Sequence, residues 1–470
     1  MLQTLSTRIV FLASALTMTS MVMAADSKSR AGEAEFREVY KELVETNTAL
    51  SNGSCTLAAE RMAARLKSAG LEQVQVFTAP GHPKEGGLFA VYPGSDSKAK
   101  AILLLAHIDV VEAKREDWTR DPFVLVEENG SFYARGAMDD KAEAAIWVDT
   151  LMRYAREKFK PRRAIKIALT CGEETAGAFN GAQWLAQNHR DWIDAEFAIN
   201  EGAWGEMDEH GVKLVMNVQA GEKAAQNFRL EVTNPGGHSS QPRKDNAIDE
   251  LAAALLKIAD YRFTPELSDL TKAYFQAAAK YEDPQVAGAM RAFAANPADA
   301  KAIATLSAKP DQVGKIGTTC VVTMINGGHA LNALPQRAGA NVNCRIFPGH
   351  PPAAIMAELA RAVANPNVTF KDVTEGTVPT DASPMRPDFI AAVTDAMAAA
   401  YPGVPVFPSM ASGASDSMWF RSHGVPSYGA SPTFLKPSDD FSHGLNERMP
   451  VANIAPGINY YLLVLRALSK

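Results

Sequence analysis

The 470-residue sequence predicts an α/β protein: a mostly parallel, twisted sheet sandwiched by helices, with a smaller α+β unit inserted. Three observations carry this. Between about residues 73 and 201, short apolar runs alternate with segments of helical periodicity, the order of a layered α/β structure. Near Lys223 the order becomes β-α-β-β-α-β, that of a ferredoxin-like split βαβ sandwich. After about Thr377 the helix–strand alternation resumes. The simplest division gives a catalytic domain made of 25–222 and 378–470, and a lid or dimerisation domain at 223–377.

Hydrophobic residues make up 47% and charged residues 21% of the chain, enough apolar material for a large core. The formal net charge of -6 argues against a broad nucleic-acid or anionic-membrane footprint. The first residues read as a secretory signal peptide. Arg8 precedes an apolar run from Ile9 to Val22, and small residues favour cleavage after Ala24. That run is shorter than the ~20 residues a spanning helix needs, and no later stretch reads as long and apolar enough. A periplasmic or secreted location is expected, with no membrane association after cleavage.

Along the mature chain, Ala31 to about Leu50 and Cys55 to Ala69 have amphipathic helical periodicity, and Gly70 closes the second. Strand-like runs follow at 73–78, 88–92 and 101–106. "DKAEAAIWVDTLMRYAREKF" is helical, "RAIKIALTC" a buried strand, "AFNGAQWLAQNH" a helix and "AEFAINEG" a strand. In the inserted unit, "NFRLEVTNPGG", "NAIDELAAALLKIADY", "TTCVVTMINGG", "RAGANVNCRIFPG", "PAAIMAELARAVA" and "VTFKDVTEG" supply its six elements. An alanine-rich helical segment at about 262–317 interrupts them. Of the four cysteines, Cys320 and Cys344 lie on neighbouring strand-like runs and are the plausible disulfide pair; four buried thiols are the alternative.

The strand ends are unusually polar. His107 and Asp109 close one, Asp139 and Asp140 precede a helix after another, Glu173 and Glu174 follow a third, and Glu201 follows a fourth. Ligands of open α/β sheets sit beyond the carboxyl ends of the strands, so these groups should share one small volume. Singly, "HxD", "DD", "EE" and "NEG" are ordinary strand ends, caps and turns. Together, that many ionised carboxylates repel one another unless cations neutralise them. Imidazole plus carboxylate suits Zn²⁺, and two ions sharing one carboxylate would account for the number of groups. Asp109 would then orient His107 through its spare ring nitrogen.

The segments "HIDVV", "W…DPF", "FYARGAMDDK", "GEETAG", "NEG", "NPGGHSSQP", "GGHALNALPQRAGANVNCRIFPG" and "SHGLNE" resemble, in content and order, the co-catalytic zinc peptidases and amidohydrolases. That family includes glutamate carboxypeptidase, Gly-X carboxypeptidase, aminoacylase, acetylornithine deacetylase and succinyl-diaminopimelate desuccinylase. The match runs from about residue 85 to 450. It implies that His107, Asp139 and Glu201 hold one metal and that Asp139, Glu174 and His443 hold the other, with Asp139 as bridge and a cis peptide at Asp139–Asp140. The ions would be Zn, with Co or Mn as alternatives. It further implies Glu173 as general base and His238 as oxyanion donor, from its own chain or from a partner in a homodimer formed through the inserted domain. Arg345, Asn332 and the backbone at Gly413 would grip a substrate carboxylate and the oxyanion region. His82, His189, His210, His350 and His423 are read as structural or surface residues, and His329 lies in a turn.

Two departures from the family pattern leave the ligands intact: Glu112 and Ala113 follow "HIDVV" where proline is common, and "YARG" replaces "YGRG". Glutamate at position 201 tilts the expectation towards carboxypeptidase, aminoacylase or deacylase activity on a small peptide or N-acyl amino acid. The alternative is a periplasmic binding protein that keeps the fold without catalysis; the complete ligand set and base argue against it. The sequence contains no G-x-S-x-G, H-E-x-x-H, P-loop or G-x-G-x-x-G motif.

Overall fold

A computed structural model describes residues 32–470; the segment read as a signal peptide lies outside them. A ten-stranded mixed sheet forms the larger layer. Its centre is parallel: the strand Ile102–His107 lies between Ile165–Thr170 and Phe197–Asn200, with His107 opposite Thr170. All six residues of "ILLLAH" are buried, because helices cover both faces of this sheet. The strands Gln73–Ala79 and His82–Tyr92 extend one edge antiparallel. Val406–Ala411 pairs parallel with Lys213–Glu222 on the other side.

The helix Cys55–Ser68 begins where the Ser54 hydroxyl accepts the Leu57 amide at 3.2 Å and ends just before Gly70, whose φ is 96°. The first helix is shorter than its periodicity suggested, Glu33–Val44. Beyond it the Asn47 side chain accepts the Ala49 amide at 2.9 Å, a local turn that competes with continued helix. The helix Lys141–Glu157 is buried almost all round, between the sheet and the C-terminal helix Ile454–Leu468, where Trp147 meets Tyr461 edge-on at 4.3 Å. The 18 residues 451–468 have a mean hydropathy of 1.2, enough by length and composition to cross a membrane, which corrects the expectation that no later stretch is so apolar. Ile458, Val464 and Leu465 of this helix pack into the main core, and half of those 18 residues are buried inside the protein.

The chain leaves the large sheet at Glu222 and enters a four-stranded antiparallel sheet at Ala224. The strand order there is Thr319–Gly327, Arg337–Ile346, Ala224–Thr233, Val368–Asp372, and the helices Ala247–Asp260 and Pro352–Val363 pack on this sheet. The four short helices between Asp269 and Val313 pack away from this unit, with Phe275, Met290 and Phe293 around Val215 and Phe407 of the large sheet.

There are two disulfides. Cys320–Cys344 joins residues directly opposite on adjacent strands. Cys55–Cys171 joins the start of a helix to the end of a central strand 116 residues away. The expectation of a single plausible pair is therefore corrected. Cys55 and Cys171 share no local element, so only the tertiary fold brings them together.

Candidate metal centre

The expected residues converge at the carboxyl ends of the parallel strands. His107 ends its strand, Glu173 and Glu174 follow Thr170, and Glu201 follows Asn200. Asp139 immediately precedes the cap of the helix Lys141–Glu157, and the Asp139–Asp140 peptide is cis. His443 comes from the loop between Asp440 and Arg448. At Gly172 φ is 98°, and an added Cβ would lie 1.8 Å from the Phe179 carbonyl oxygen. Only glycine allows the sharp turn that presents the two glutamates.

Asp139 is central to the cluster. Its Oδ1 lies 3.2 Å from His107 Nε2 and its Oδ2 lies 3.3 Å from His443 Nε2. Glu201 Oε2 is 3.6 Å from His107 Nε2, and Glu174 Oε2 is 2.8 Å from His443 Nε2. Donor atoms of His107, Glu173 and Glu201 also lie within 4.8 Å of one another. One carboxylate thus faces two imidazoles, each of which has a further carboxylate beside it.

Asp109 faces both His107 and the glutamate loop. The nearest group to His107 Nδ1 is the carbonyl oxygen of Asp109, at 3.1 Å; the carboxylate is 3.6 Å away. That carboxylate accepts the amides of Glu173 at 3.3 Å and Glu174 at 3.1 Å. It therefore fixes the glutamate loop and the imidazole together.

The electrostatics call for positive charge. Burial works against a charged His107, but the carboxylates of Glu201, Asp109 and Asp139 outweigh it and hold its pKa well above the ordinary histidine value. Hydrogen bonds to Asp139 and Glu174 push His443 up to about 10. Burial opposes ionisation of Asp139, yet the two imidazoles hold it below the usual carboxylate range. Burial, then the charge of Glu201, raises Glu173 well above that range. Nitrogen and carboxylate oxygen donors arranged around a shared carboxylate fit a pair of divalent cations.

Among the described residues, no hydrogen bond or ion pair joins the other expected residues to this cluster. His238 is exposed, on a short ribbon with Ala333–Leu334, and its Nδ1 is 3.1 Å from the Ser240 amide and 2.7 Å from the Ser240 hydroxyl. Asn332 is on the same ribbon, where its carbonyl accepts the Ser239 amide. Arg345 is half-buried on the strand Arg337–Ile346 with no ion pair among the described residues, and burial lowers its pKa. Gly413 has open space beside its Cα.

Sequence reading passed over the bracket behind the glutamate loop. Asn180 Nδ2 donates to the Gly172 carbonyl at 3.1 Å and to buried Asp416 at 2.7 Å, whose carboxyl burial raises to about 7. Asp416 stands three residues beyond Gly413.

A sequence profile described as peptidase family M20/M25/M40 matches residues 103–467, and the chain belongs to that family. It is a hydrolase of the carboxypeptidase, acylase or dipeptidase type. It is 26% identical over 387 residues to "Probable carboxypeptidase S-like 2" of Dictyostelium discoideum, covering 81% of this chain and 74% of that protein. It is 27% identical over 380 residues to mouse (Mus musculus) "N-fatty-acyl-amino acid synthase/hydrolase PM20D1", covering 79% and 74%. Among solved structures, the M20 family metallo-carboxypeptidase Sso-CP2 from Sulfolobus solfataricus shares the fold with a TM-score of 0.68 at 19% identity, over 92% of this chain and 99% of that one.

Proposed function

We propose that the chain is an exported di-metal hydrolase that cleaves an amide bond next to a free carboxylate, in a small peptide or an N-acyl amino acid. The observation that carries this reading is the placement of Asp139 between His107 and His443, flanked by Glu201 and Glu174. His107, Asp139 and Glu201 would hold one ion, and Asp139, Glu174 and His443 the other, with zinc favoured by the imidazole and carboxylate donors. Bound there, a pair of divalent ions lowers the pKa of water and polarises an amide carbonyl.

The chain's own groups do the rest. Glu173 takes a proton from the attacking water at a carboxylate oxygen and delivers it to the departing amine nitrogen. Asp109 keeps Glu173 and Glu174 in place through their backbone amides. His238 donates a hydrogen bond to the developing oxyanion, and Arg345, which has no ion-pair partner among the described residues, takes the substrate carboxylate in its fork, with Asn332 and the Gly413 backbone beside it. His238 touches none of the cluster, so its role requires either closure of the inserted unit, 223–377, over the catalytic unit, 25–222 and 378–470, or delivery from a partner copy. The edge strand Thr319–Gly327 supports a homodimer, since it exposes Val321, Met324 and Ile325 at 58%, 68% and 65%.

The deciding experiment is a panel of free dipeptides, N-blocked dipeptides and N-acyl amino acids, assayed after chelation and after return of Zn²⁺, Co²⁺ or Mn²⁺. Turnover should vanish on chelation and return with metal. Glu173→Ala should abolish turnover while two ions stay bound. No hydrolysis of any panel member by the fully loaded chain would instead support a binding protein.

A further inference from the structure

We infer that Arg135 and Glu447 are positioning residues that lock the two loops carrying Asp139 and His443 into one metal-holding unit. The inference rests on the dinuclear reading above and concerns residues that touch neither substrate nor the proposed ions.

Glu447 is 1% exposed and Arg135 2%. One oxygen of Glu447, Oε1, accepts the amides of Met138 at 2.9 Å and Asp139 at 3.1 Å. The other, Oε2, accepts the Gly136 amide at 3.0 Å and Arg135 Nη1 at 2.8 Å. Arg135 Nη2 then reaches the carbonyls of His443 at 3.4 Å and Gly444 at 3.0 Å. The guanidinium also lies 5.0 Å from the centre of the Trp118 ring. A continuous chain of hydrogen bonds therefore runs from the backbone of the bridging aspartate, through one buried ion pair, to the backbone of the distant histidine.

His443 needs such support. Its side chain is 56% exposed, so packing does little to hold it. Its loop has no regular secondary structure, and His443 and Asn446 both have left-handed backbone, with φ of 61° and 56°. Away from Arg135, the loop is held by Asn446 Oδ1, which accepts the Thr119 hydroxyl at 2.7 Å. His107, by contrast, is 2% exposed and sits at the end of a central strand. A buried ion pair is a weak source of net stability compared with apolar residues of the same shape, and its best-attested use is to fix one arrangement over others. Here it fixes the loop of His443, a proposed ligand of one ion only, against the backbone of Asp139, so its loss should weaken the ion that His443 holds more than the one that His107, at the end of a buried strand, helps to hold.

The test compares Arg135→Lys, Glu447→Gln and His443→Ala with wild type in the full chain. Metal content, stepwise Zn²⁺ affinity by chelator competition, kcat, KM and the Tm of the metal-free form are measured. Lysine keeps the charge but cannot span Glu447 and the two carbonyls. Both Arg135→Lys and Glu447→Gln should keep the tighter ion and bind the second about 10- to 100-fold more weakly, the usual effect of removing a ligand's support. Excess Zn²⁺ should restore most of kcat with KM unchanged. Unchanged binding of both ions, or equal weakening of both in a chain whose metal-free Tm is intact, overturns the inference. If Glu447→Gln does not fold, Arg135→Lys decides alone. His443→Ala separates the two levels: if it costs no ion, the dinuclear reading fails; if it costs the second ion while the other two variants bind normally, only the positioning role fails.

Discussion

Asp109 stands two residues beyond His107, yet its carboxylate acts mainly on a loop 64 and 65 residues further on. Asp109→Asn exchanges one acceptor oxygen for a donor, so either the Glu173 or the Glu174 amide faces another donor and loses its partner. Metal affinity or kcat should fall about 10- to 100-fold, with KM the less affected, as steady-state kinetics and chelator competition would show. Arg345→Met should do the opposite. Removing a charge-assisted clamp of about 1.5–3 kcal/mol should raise KM roughly 10- to 100-fold and leave kcat nearly unchanged for substrates with a free carboxylate. An equal loss on an amidated substrate would remove Arg345 from the carboxylate site. At this scale the convergence of the candidate site residues that close strands was legible, because His107, Glu173, Glu174 and Glu201 each follow an apolar run. His443 was not: "FSHGLNER" is a polar loop whose importance came only from resemblance. The bonds of Asp109, Asn180 and Asp416 to distant backbone and side chains leave no mark in local sequence.

Among the elements, the helix Cys55–Ser68 and the strand Ile165–Thr170 are joined at their functional ends. Cys171 follows that strand and lies two residues before Glu173, while Cys55 opens the helix. The bridge closes a loop of 116 residues, for which the chain-entropy account gives roughly 4–5 kcal/mol. Cys320–Cys344 closes only 24 residues within an antiparallel pair already joined by its ladder. The double variant Cys55→Ser/Cys171→Ser should therefore lower the Tm more than Cys320→Ser/Cys344→Ser. It alone should also lower kcat, because it loosens the glutamate loop. Equal losses of Tm in the two variants, with kcat preserved, would count against a tie between this disulfide and the base. Both the cross-strand pairing and the β-α-β-β-α-β order were readable, since adjacent strands and their periodicity are local facts. The Cys55–Cys171 pair and the docking of the 262–317 helices onto the large sheet were not. Helical periodicity says that a face is buried without saying against what.

For the molecule as a whole, the role proposed for His238 demands a route from its exposed ribbon to the candidate metal centre. The inserted sheet ends in the strand Thr319–Gly327, whose outer edge pairs with no other strand among the described residues and exposes Val321, Met324 and Ile325, and Ile248 and Leu256 of the helix Ala247–Asp260 are exposed at 42% and 68%. The helices between 269 and 313 lie against Val215 and Phe407 of the large sheet. An unpaired apolar edge tends to find another strand, and a soluble chain that keeps one ordinarily covers it. A second copy, strand against strand, would do so. It would also set one copy's His238 ribbon near the other's metal centre only if the two inserted units lie side by side. The double variant Met324→Lys/Ile325→Lys places charge on the shared edge and should convert a dimer into a monomer, read by light scattering after size exclusion. Activity then separates the two routes. If His238 serves its own chain, the monomer keeps its turnover. If it serves the partner, turnover falls with dimerisation, and mixing inactive Glu173→Ala with inactive His238→Ala protein restores part of it, because each mixed dimer holds one complete site. A wild-type chain that is monomeric at every concentration, and active, would leave domain closure as the sole means of bringing His238 to the metals.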